Sequence, residues 1–301
     1  MNMKTGSANE ATPLINWAAA YLERSRVAKA HLNAQQLLAH CTGRSRVDLY
    51  AYPDKKVSEE ETQAFFLAVQ RRALREPLQY IVGTKGFRYL ELAVDRRVLI
   101  PRPETEMLVE SVIGLIDAVR GHPVVVDVGT GSGCIALSVC RECPASVVHA
   151  TDISGQALAV AKHNARRLGL DGCLHFHEGD LLDALPEYLV GKCDFIVSNP
   201  PYIREKDYAS LPPEVREHEP YRSLVAGPSG WELHLRLTGQ AHRWLSPRGW
   251  LFMEGGEDQL DFLQQMALDS GYDEARISAD LNGRPRIIAM RSPSPAPGVS
   301  P

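Results

Sequence analysis

The chain has 301 residues, 44% of them apolar and 23% charged, with a formal net charge of −4. That balance excludes a disordered or collagen-like chain, and the length accommodates two domains of moderate size. No apolar run approaches the ~18 residues a membrane span requires. Residues 1–13 lack both the apolar core of a secretory signal and the arginines of a mitochondrial presequence, so a cytoplasmic location and no membrane partner are expected.

In chain order, residues 1–85 read as an all-helical docking domain. Thr12 can cap a helix that has Pro13 at its first position. A short helix over 31–41 stops at Gly43. Ser58 and Glu61 form a capping box opening a third helix to about Leu74, and Pro77 ends that run. Residues 85–98 alternate apolar positions (Phe87, Leu90, Leu92, Val94) as a half-buried hairpin does. The stretch ends in residues 99–106, which lead into a helix through about Val119. Downstream, strands are expected over 123–128, 146–151, 173–177, 194–198, 249–253, 275–277 and 285–290. Helices are expected over 134–140, 154–168, 230–245 and 258–270. Apolar strands alternating with helices predict an α/β fold with a mostly parallel sheet covered on both faces, its last two strands forming an antiparallel edge. The expected division is therefore 1–85, then 86–291 for hairpin connector and α/β domain, then a disordered Pro- and Ser-rich tail over 292–301. About 30 residues from Asn199 to Pro228 show no periodicity. Structureless loops beyond ~12–15 residues are uncommon unless they are functional or disordered.

Charge is unevenly divided. Residues 1–80 carry 11 Lys/Arg and 8 Asp/Glu, and the remainder is acidic by 7 charges. An acidic larger domain argues against direct nucleic-acid binding, which needs a basic footprint. The six cysteines include one C-x-x-C, Cys140 and Cys143, without the second ligand pair of a structural zinc. Reduced thiols and no metal are expected.

Two motifs carry chemistry. The first is Asp127-Val128-Gly129-Thr130-Gly131-Ser132-Gly133, between an apolar strand and a helix. Its glycines permit a tight turn and close approach of backbone amides to a ligand. A dinucleotide turn reads G-x-G-x-x-G/A; this one is G-x-G-x-G and has Cys134 at the last position of that pattern. The spacing suits S-adenosylmethionine, with Asp127 toward its ammonium end. Asp152, 23 residues after Gly129 at the end of the next strand, is placed to accept from both ribose hydroxyls. Asp180 and Leu181, after the following strand, are candidates for the adenine amine and ring. His175 and His177 receive no role.

The second motif is Ser198-Asn199-Pro200-Pro201-Tyr202, directly after an apolar strand. Two consecutive prolines remove two backbone donors, and each restrains the residue before it. What remains is a rigid pair of acceptors, the Asn199 side-chain oxygen and the Pro200 carbonyl, beside the flat face of Tyr202. Such an array suits a planar –NH2 group and aims its nitrogen at a methyl donor. Asn199 thus counts with both donor and acceptor sites.

Asn-Pro-Pro-Tyr after the fourth strand, together with Glu76-Pro77-Leu78-Gln79-Tyr80-Ile81-Val82-Gly83 and Val98-Leu99-Ile100-Pro101-Arg102-Pro103-Glu104-Thr105-Glu106, resembles the PrmC/HemK family of peptide chain release factor glutamine methyltransferases. The resemblance extends from about Leu32 to Met290. It implies a helical N-terminal domain, a hairpin connector and a class I S-adenosylmethionine-dependent methyltransferase domain with a seven-stranded Rossmann-like sheet. It also implies that the substrate is the glutamine of the Gly-Gly-Gln loop of class-1 release factors, and that Arg102 and Glu106 shape the entrance to the substrate pocket. The chain has His218-Glu219-Pro220 where the family has Tyr-Glu-Pro. It has Glu254-Gly255-Gly256 where the family has Glu-Ile-Gly, and Gly227-Pro228-Ser229-Gly230 where an aspartate-rich Gly-x-Asp-Gly is common. All three departures lie outside the donor and acceptor motifs. The alternative substrates are a ribosomal-protein glutamine and the adenine amine of a nucleic acid.

Overall fold

A computed structural model describes residues 10–116, 119, 121–280 and 282–294. The tail expected to be disordered lies outside the described residues from 295 onward. Residues 292–294 are held, with the Ser292 amide donating to the Gly249 carbonyl at 2.8 Å.

The chain divides into two compact units, one reaching Thr84 and also taking Pro212–His218, the other comprising Lys85–Leu211 and the chain from Glu219. The first unit is helical: α1 (Ala11–Arg24), α2 (Ala30–Thr42), α3 (Arg46–Ala51), α4 (Glu59–Ala73) and α5 (Leu78–Val82). Leu14, Leu22, Leu37, Leu38 and Phe65 are fully buried at its centre, each contributing roughly 1.5–3 kcal/mol through burial. The Ser58 capping box is formed, its hydroxyl accepting from the Glu61 amide. Helix α2 stops where Gly43 takes a left-handed φ of 63°. Two short helices were not expected. Helix α3 opens on a second capping box, Ser45 with Asp48. Helix α5 starts straight after Pro77, whereas α4 already stops at Ala73 with Leu74 as its C-cap, so Pro77 opens a helix and does not end one. Within the same unit, Glu214 receives both Arg72, at 3.0 Å, and Arg75, at 2.7 Å.

The second unit begins with the hairpin β1 (Thr84–Phe87) and β2 (Leu90–Ala93), followed by α6 (Pro103–Ile116). Its main elements are β3 (Val124–Val128), α7 (Cys134–Glu142), β4 (Val147–Asp152), α8 (Gly155–Leu168), β5 (Leu174–Glu178) and β6 (Cys193–Ser198). The seven-stranded sheet runs β10-β11-β9-β6-β3-β4-β5, where β9 is Leu245–Glu254, β10 is Glu274–Ala279 and β11 is Pro285–Arg291. Strands β9, β6, β3, β4 and β5 run parallel to one another, whereas β11 pairs antiparallel with both β9 and β10.

Alternation along the strands explains the two covered faces. Val125, Phe195, Val197 and Phe252 enter one apolar cluster with Leu108, Val112 and Ile135. Val126, Ile196, Leu251 and Met253 enter another with Leu237 and Leu263, from α10 (Glu232–Trp244) and α11 (Leu260–Asp269). The aperiodic stretch after β6 is not structureless. It contains β7 (Ile203–Arg204) paired with β8 (Val225–Gly227), a helical turn at Glu205–Ser210, and the short helix α9 (Pro213–Arg216). Pairs this short leave no period for a hydrophobic pattern to reveal.

From β3 the chain moves outward through β4 and β5, then returns to place β6 on the other side of β3. The strand order reverses there, and open parallel sheets bind ligands beyond the strand C-termini at such a point.

Candidate functional site

Both motifs issue from this reversal. Val128 is in register with Ser198, so the glycine turn after β3 and Asn199–Tyr202 after β6 leave neighbouring strand ends. The Ser198 hydroxyl donates to the Val128 carbonyl at 2.7 Å and ties the two ends together.

The turn is internally braced. Gly129, Gly131 and Gly133 all have positive φ, at 73°, 55° and 84°, a region where a side chain costs roughly 1–2 kcal/mol. The amides of Gly129 and Thr130 both donate to the Thr151 carbonyl at 2.9 Å, and that of Gly133 to Thr130. Asp127 is fully buried. Its Oδ2 accepts from the Thr130 hydroxyl at 2.6 Å and the Ala136 amide at 3.1 Å. Its Oδ1 is buried without a partner. Burial pushes the carboxyl up to about 7, against those two hydrogen bonds. Asp152 accepts from the amides of Gly131 and Ser154, each at 2.9 Å, which places its carboxylate against the turn. Burial raises this group as well.

These features fit S-adenosylmethionine. A Cβ on Gly129 would meet nothing within 4 Å, so open space lies beside the turn. The unpartnered Asp127 oxygen matches a cationic group, and Asp152 keeps spare acceptor capacity on each oxygen. Asp180 is partly engaged, its Oδ2 receiving Arg236 at 2.6 Å. Leu181, just after it, has a positive φ of 49° and opens the turn of helix at Leu181–Ala184.

The acceptor motif rests on residues from distant elements. Asn199 Nδ2 donates to the Thr105 hydroxyl on α6 at 2.9 Å. Thr105 donates in turn to Glu254 Oε2, at the end of β9, at 2.7 Å. Tyr202 donates its phenol to Glu254 Oε1 at 3.2 Å, and its carbonyl accepts from Gln259 at 2.9 Å. Thr105 and Glu254 are each 1% exposed. Burial raises the Glu254 carboxyl, offset by the Thr105 and Tyr202 hydrogen bonds and by Arg286. Burial and the nearby Glu254 push the Tyr202 phenol far up, so it stays neutral. Pro200 is buried and Pro201 half-buried.

Arg102 and Glu106 are not paired with each other. The Arg102 guanidinium meets Glu219, with Nη2 at 2.7 and 2.8 Å from the two carboxylate oxygens. Glu106 is half-buried on α6, and its carbonyl accepts from Arg88 at 3.1 Å.

Thr105, Glu219 and Glu254 were in view in the sequence but received no role. Glu254 had a local signal: a carboxylate closing an apolar strand at the C-terminal edge, the pattern that singles out Asp152. Thr105 had none, since its partners lie 94 and 149 residues away.

Comparison with known proteins agrees along the chain. Residues 13–83 match the model of the PrmC N-terminal domain, and residues 105–211 that of the methyltransferase small domain. A release factor glutamine methyltransferase from Nitratidesulfovibrio vulgaris is 42% identical over 294 residues, covering 96% of this chain and 98% of the relative. One from Geobacter sulfurreducens is 38% identical over 281 residues, covering 92% and 95%. Among solved structures, the hMettl16 catalytic domain in complex with the MAT2A 3′UTR hairpin 6 superposes with a TM-score of 0.53. It is 18% identical and covers 77% of this chain and 84% of that one, a likeness of fold. The seven-stranded sheet and its flanking helices are those of a class I methyltransferase, and the chain belongs to the release factor glutamine methyltransferase family.

Proposed function

We propose that this enzyme methylates the side-chain amide nitrogen of the glutamine in the Gly-Gly-Gln loop of class-1 peptide chain release factors, in the cytoplasm. The cofactor, S-adenosylmethionine, supplies an electrophilic methyl group on a sulfonium. The observation that carries the proposal is the pairing of β3 with β6, which brings the glycine turn and the Asn-Pro-Pro-Tyr segment to one edge of the sheet. Family membership supports the choice of acceptor.

An amide nitrogen is a poor nucleophile because its lone pair is delocalised into the carbonyl. As the nitrogen takes the methyl group, positive charge builds on it and its N–H groups become stronger donors. In this reading the Asn199 oxygen and the Pro200 carbonyl accept those two hydrogens. Fixed acceptors aimed at developing charge need no reorganisation, and one such polar group contributes ~10²–10³ in rate. Asn199 has little freedom, being restrained by the proline after it and held at Nδ2 by Thr105. Tyr202, tied to Glu254, presents its ring beside the amide. Aligning nitrogen, methyl and sulfur contributes the other large part, up to roughly 7–11 kcal/mol. One N–H proton is lost overall, and it leaves to solvent. Asp127 and Asp152 hold the donor at its ammonium and ribose ends, with Asp180 and Leu181 near the adenine.

Selecting one glutamine among many requires contacts remote from the reacting atom. The test compares three acceptors: an intact release factor, a short Gly-Gly-Gln peptide and an adenine-containing oligonucleotide. Fast methylation of the first, slow methylation of the second and none of the third are expected. Methylation of the oligonucleotide alone would replace this reading with the adenine one.

A further inference from the structure

We propose that Thr105 and Glu254 are positioning residues that determine which end of the Asn199 side-chain amide faces the substrate; the inference rests on the acceptor role given to Asn199 above. The two ends of that amide are nearly identical in shape and opposite in hydrogen bonding. Only the oxygen can receive a substrate N–H. A rotation of the amide by half a turn would present –NH2 to –NH2 and abolish the acceptor.

The hydrogen-bond directions leave one arrangement. An ionised carboxylate only accepts. Glu254 therefore takes a proton from each hydroxyl it meets, Thr105 at 2.7 Å and Tyr202 at 3.2 Å. With its single proton committed to Glu254, the Thr105 oxygen offers only lone pairs to its other neighbour. The Asn199 group 2.9 Å away must then be the donor Nδ2, which turns Oδ1 away from Thr105. The reverse orientation would set two acceptors against each other in a buried site, where an unmade hydrogen bond is costly.

Glu254 is itself held from several sides. Its backbone carbonyl accepts from His234 Nε2 at 2.8 Å. Burial and, less strongly, Glu104 oppose the charged carboxylate, while the Thr105 and Tyr202 hydrogen bonds and Arg286, which reaches the Gly255 carbonyl, favour it. A proton on Oε2 would reverse the chain: Glu254 would donate to Thr105, freeing the hydroxyl proton to meet the Asn199 oxygen. The network thus orients Asn199 correctly while Oε2 carries no proton, as in the ionised carboxylate.

Two measurements on the full-length enzyme test this. The first needs no substrate: hydrogen exchange of the Asn199 side-chain –NH2 by NMR, its signal assigned from its loss in Asn199→Asp. The wild type should show at least roughly tenfold slower exchange than Thr105→Val, with Thr105→Ser restoring protection, because the hydrogen bond closes the group to solvent. Equal exchange in wild type and Thr105→Val would overturn the proposal. The second is kinetic, with an intact release factor. Thr105→Val should lower kcat by roughly tenfold or more, a part of what losing the acceptor outright would cost. KM and the affinity for S-adenosylhomocysteine should stay within about twofold, Thr105→Ser should recover most of the rate, and Glu254→Gln should lose the acid limb of the kcat profile. Unchanged kcat in Thr105→Val, or a loss of kcat matched by a loss of donor affinity, would refute the positioning role. If wild type leaves the release factor unmodified, the functional reading fails, and the exchange measurement still decides whether Thr105 and Glu254 orient Asn199.

Discussion

Replacing Asn199 by alanine separates donor binding from chemistry. The variant removes the side-chain oxygen proposed to accept from the reacting amide, and it removes the hydrogen bond to Thr105. Nothing in the glycine turn changes: Asp127 still holds Thr130 and Ala136, and Asp152 still holds Gly131 and Ser154. Thr105 keeps its bond to Glu254. The structural loss is therefore one neutral, partly buried hydrogen bond, about 1 kcal/mol of stability. The catalytic loss is one preorganised acceptor, ~10²–10³ in turnover or about 2.7–4 kcal/mol of barrier. The assay measures kcat and KM for methyl transfer to an intact release factor by mass spectrometry, with donor affinity measured by calorimetry. A fall in kcat of ~100-fold with donor affinity within a few-fold is expected. Retained turnover with collapsed donor affinity would make Asn199 a cofactor residue and refute the acceptor role.

The remaining predictions concern the donor site and the supporting ion pair. Asp152→Ala should weaken S-adenosylmethionine binding by about 1.5–3 kcal/mol in calorimetry, the value of hydrogen bonds to a charged group; unchanged affinity would remove Asp152 from the site. Asp127, pushed up to about 7 by burial, keeps its proton in the folded enzyme between about pH 4 and 7, where the unfolded chain has lost it. The folded state binds more protons in that window, so this group's contribution to stability falls as pH rises through it. Asp127→Asn should therefore gain melting temperature relative to wild type on going from pH 5 to pH 7.5; a constant difference would contradict the shift. Arg102→Ala leaves Glu219, whose side chain is 1% exposed, without its cation. Breaking a buried pair costs ~3–5 kcal/mol, and the partial exposure of Arg102 places the expected loss in urea denaturation at the lower end. Glu219→Gln in the same chain should recover part of it.

Strands β4 and β6 were readable as largely apolar runs closed by Asp152 and Ser198, and β3 as one interrupted only by Asp127, while helices such as α4 and α8 carry local start signals. Ser154, for example, accepts from the Ala157 amide at the start of α8. The two glycine- and proline-rich segments were readable because backbone restriction is written in the residue itself. The stretch from Asn199 to Pro228 was not. Its order comes from pairs such as Ile203 with Val225 and from Glu214 meeting two arginines about 140 residues earlier, and neither has a local period. Helix α3 was missed despite a local signal, since Ser45 and Asp48 form a capping box, because its six residues are too few to show an apolar face. The buried support of Asn199 depends on three elements converging, so Thr105 reads in sequence as an ordinary residue in a helix's first turn. Glu254 differs, because a charged residue ending an apolar strand does point to the strand's C-terminal edge.

Site-resolved mass spectrometry tests the central claim most directly. A class-1 release factor is incubated with wild-type enzyme and S-adenosylmethionine, digested, and the peptide spanning Gly-Gly-Gln is fragmented. The account predicts one added methyl group, located on the glutamine side chain, with no product when donor is omitted. An unmodified glutamine under conditions where the same enzyme methylates another acceptor would contradict it.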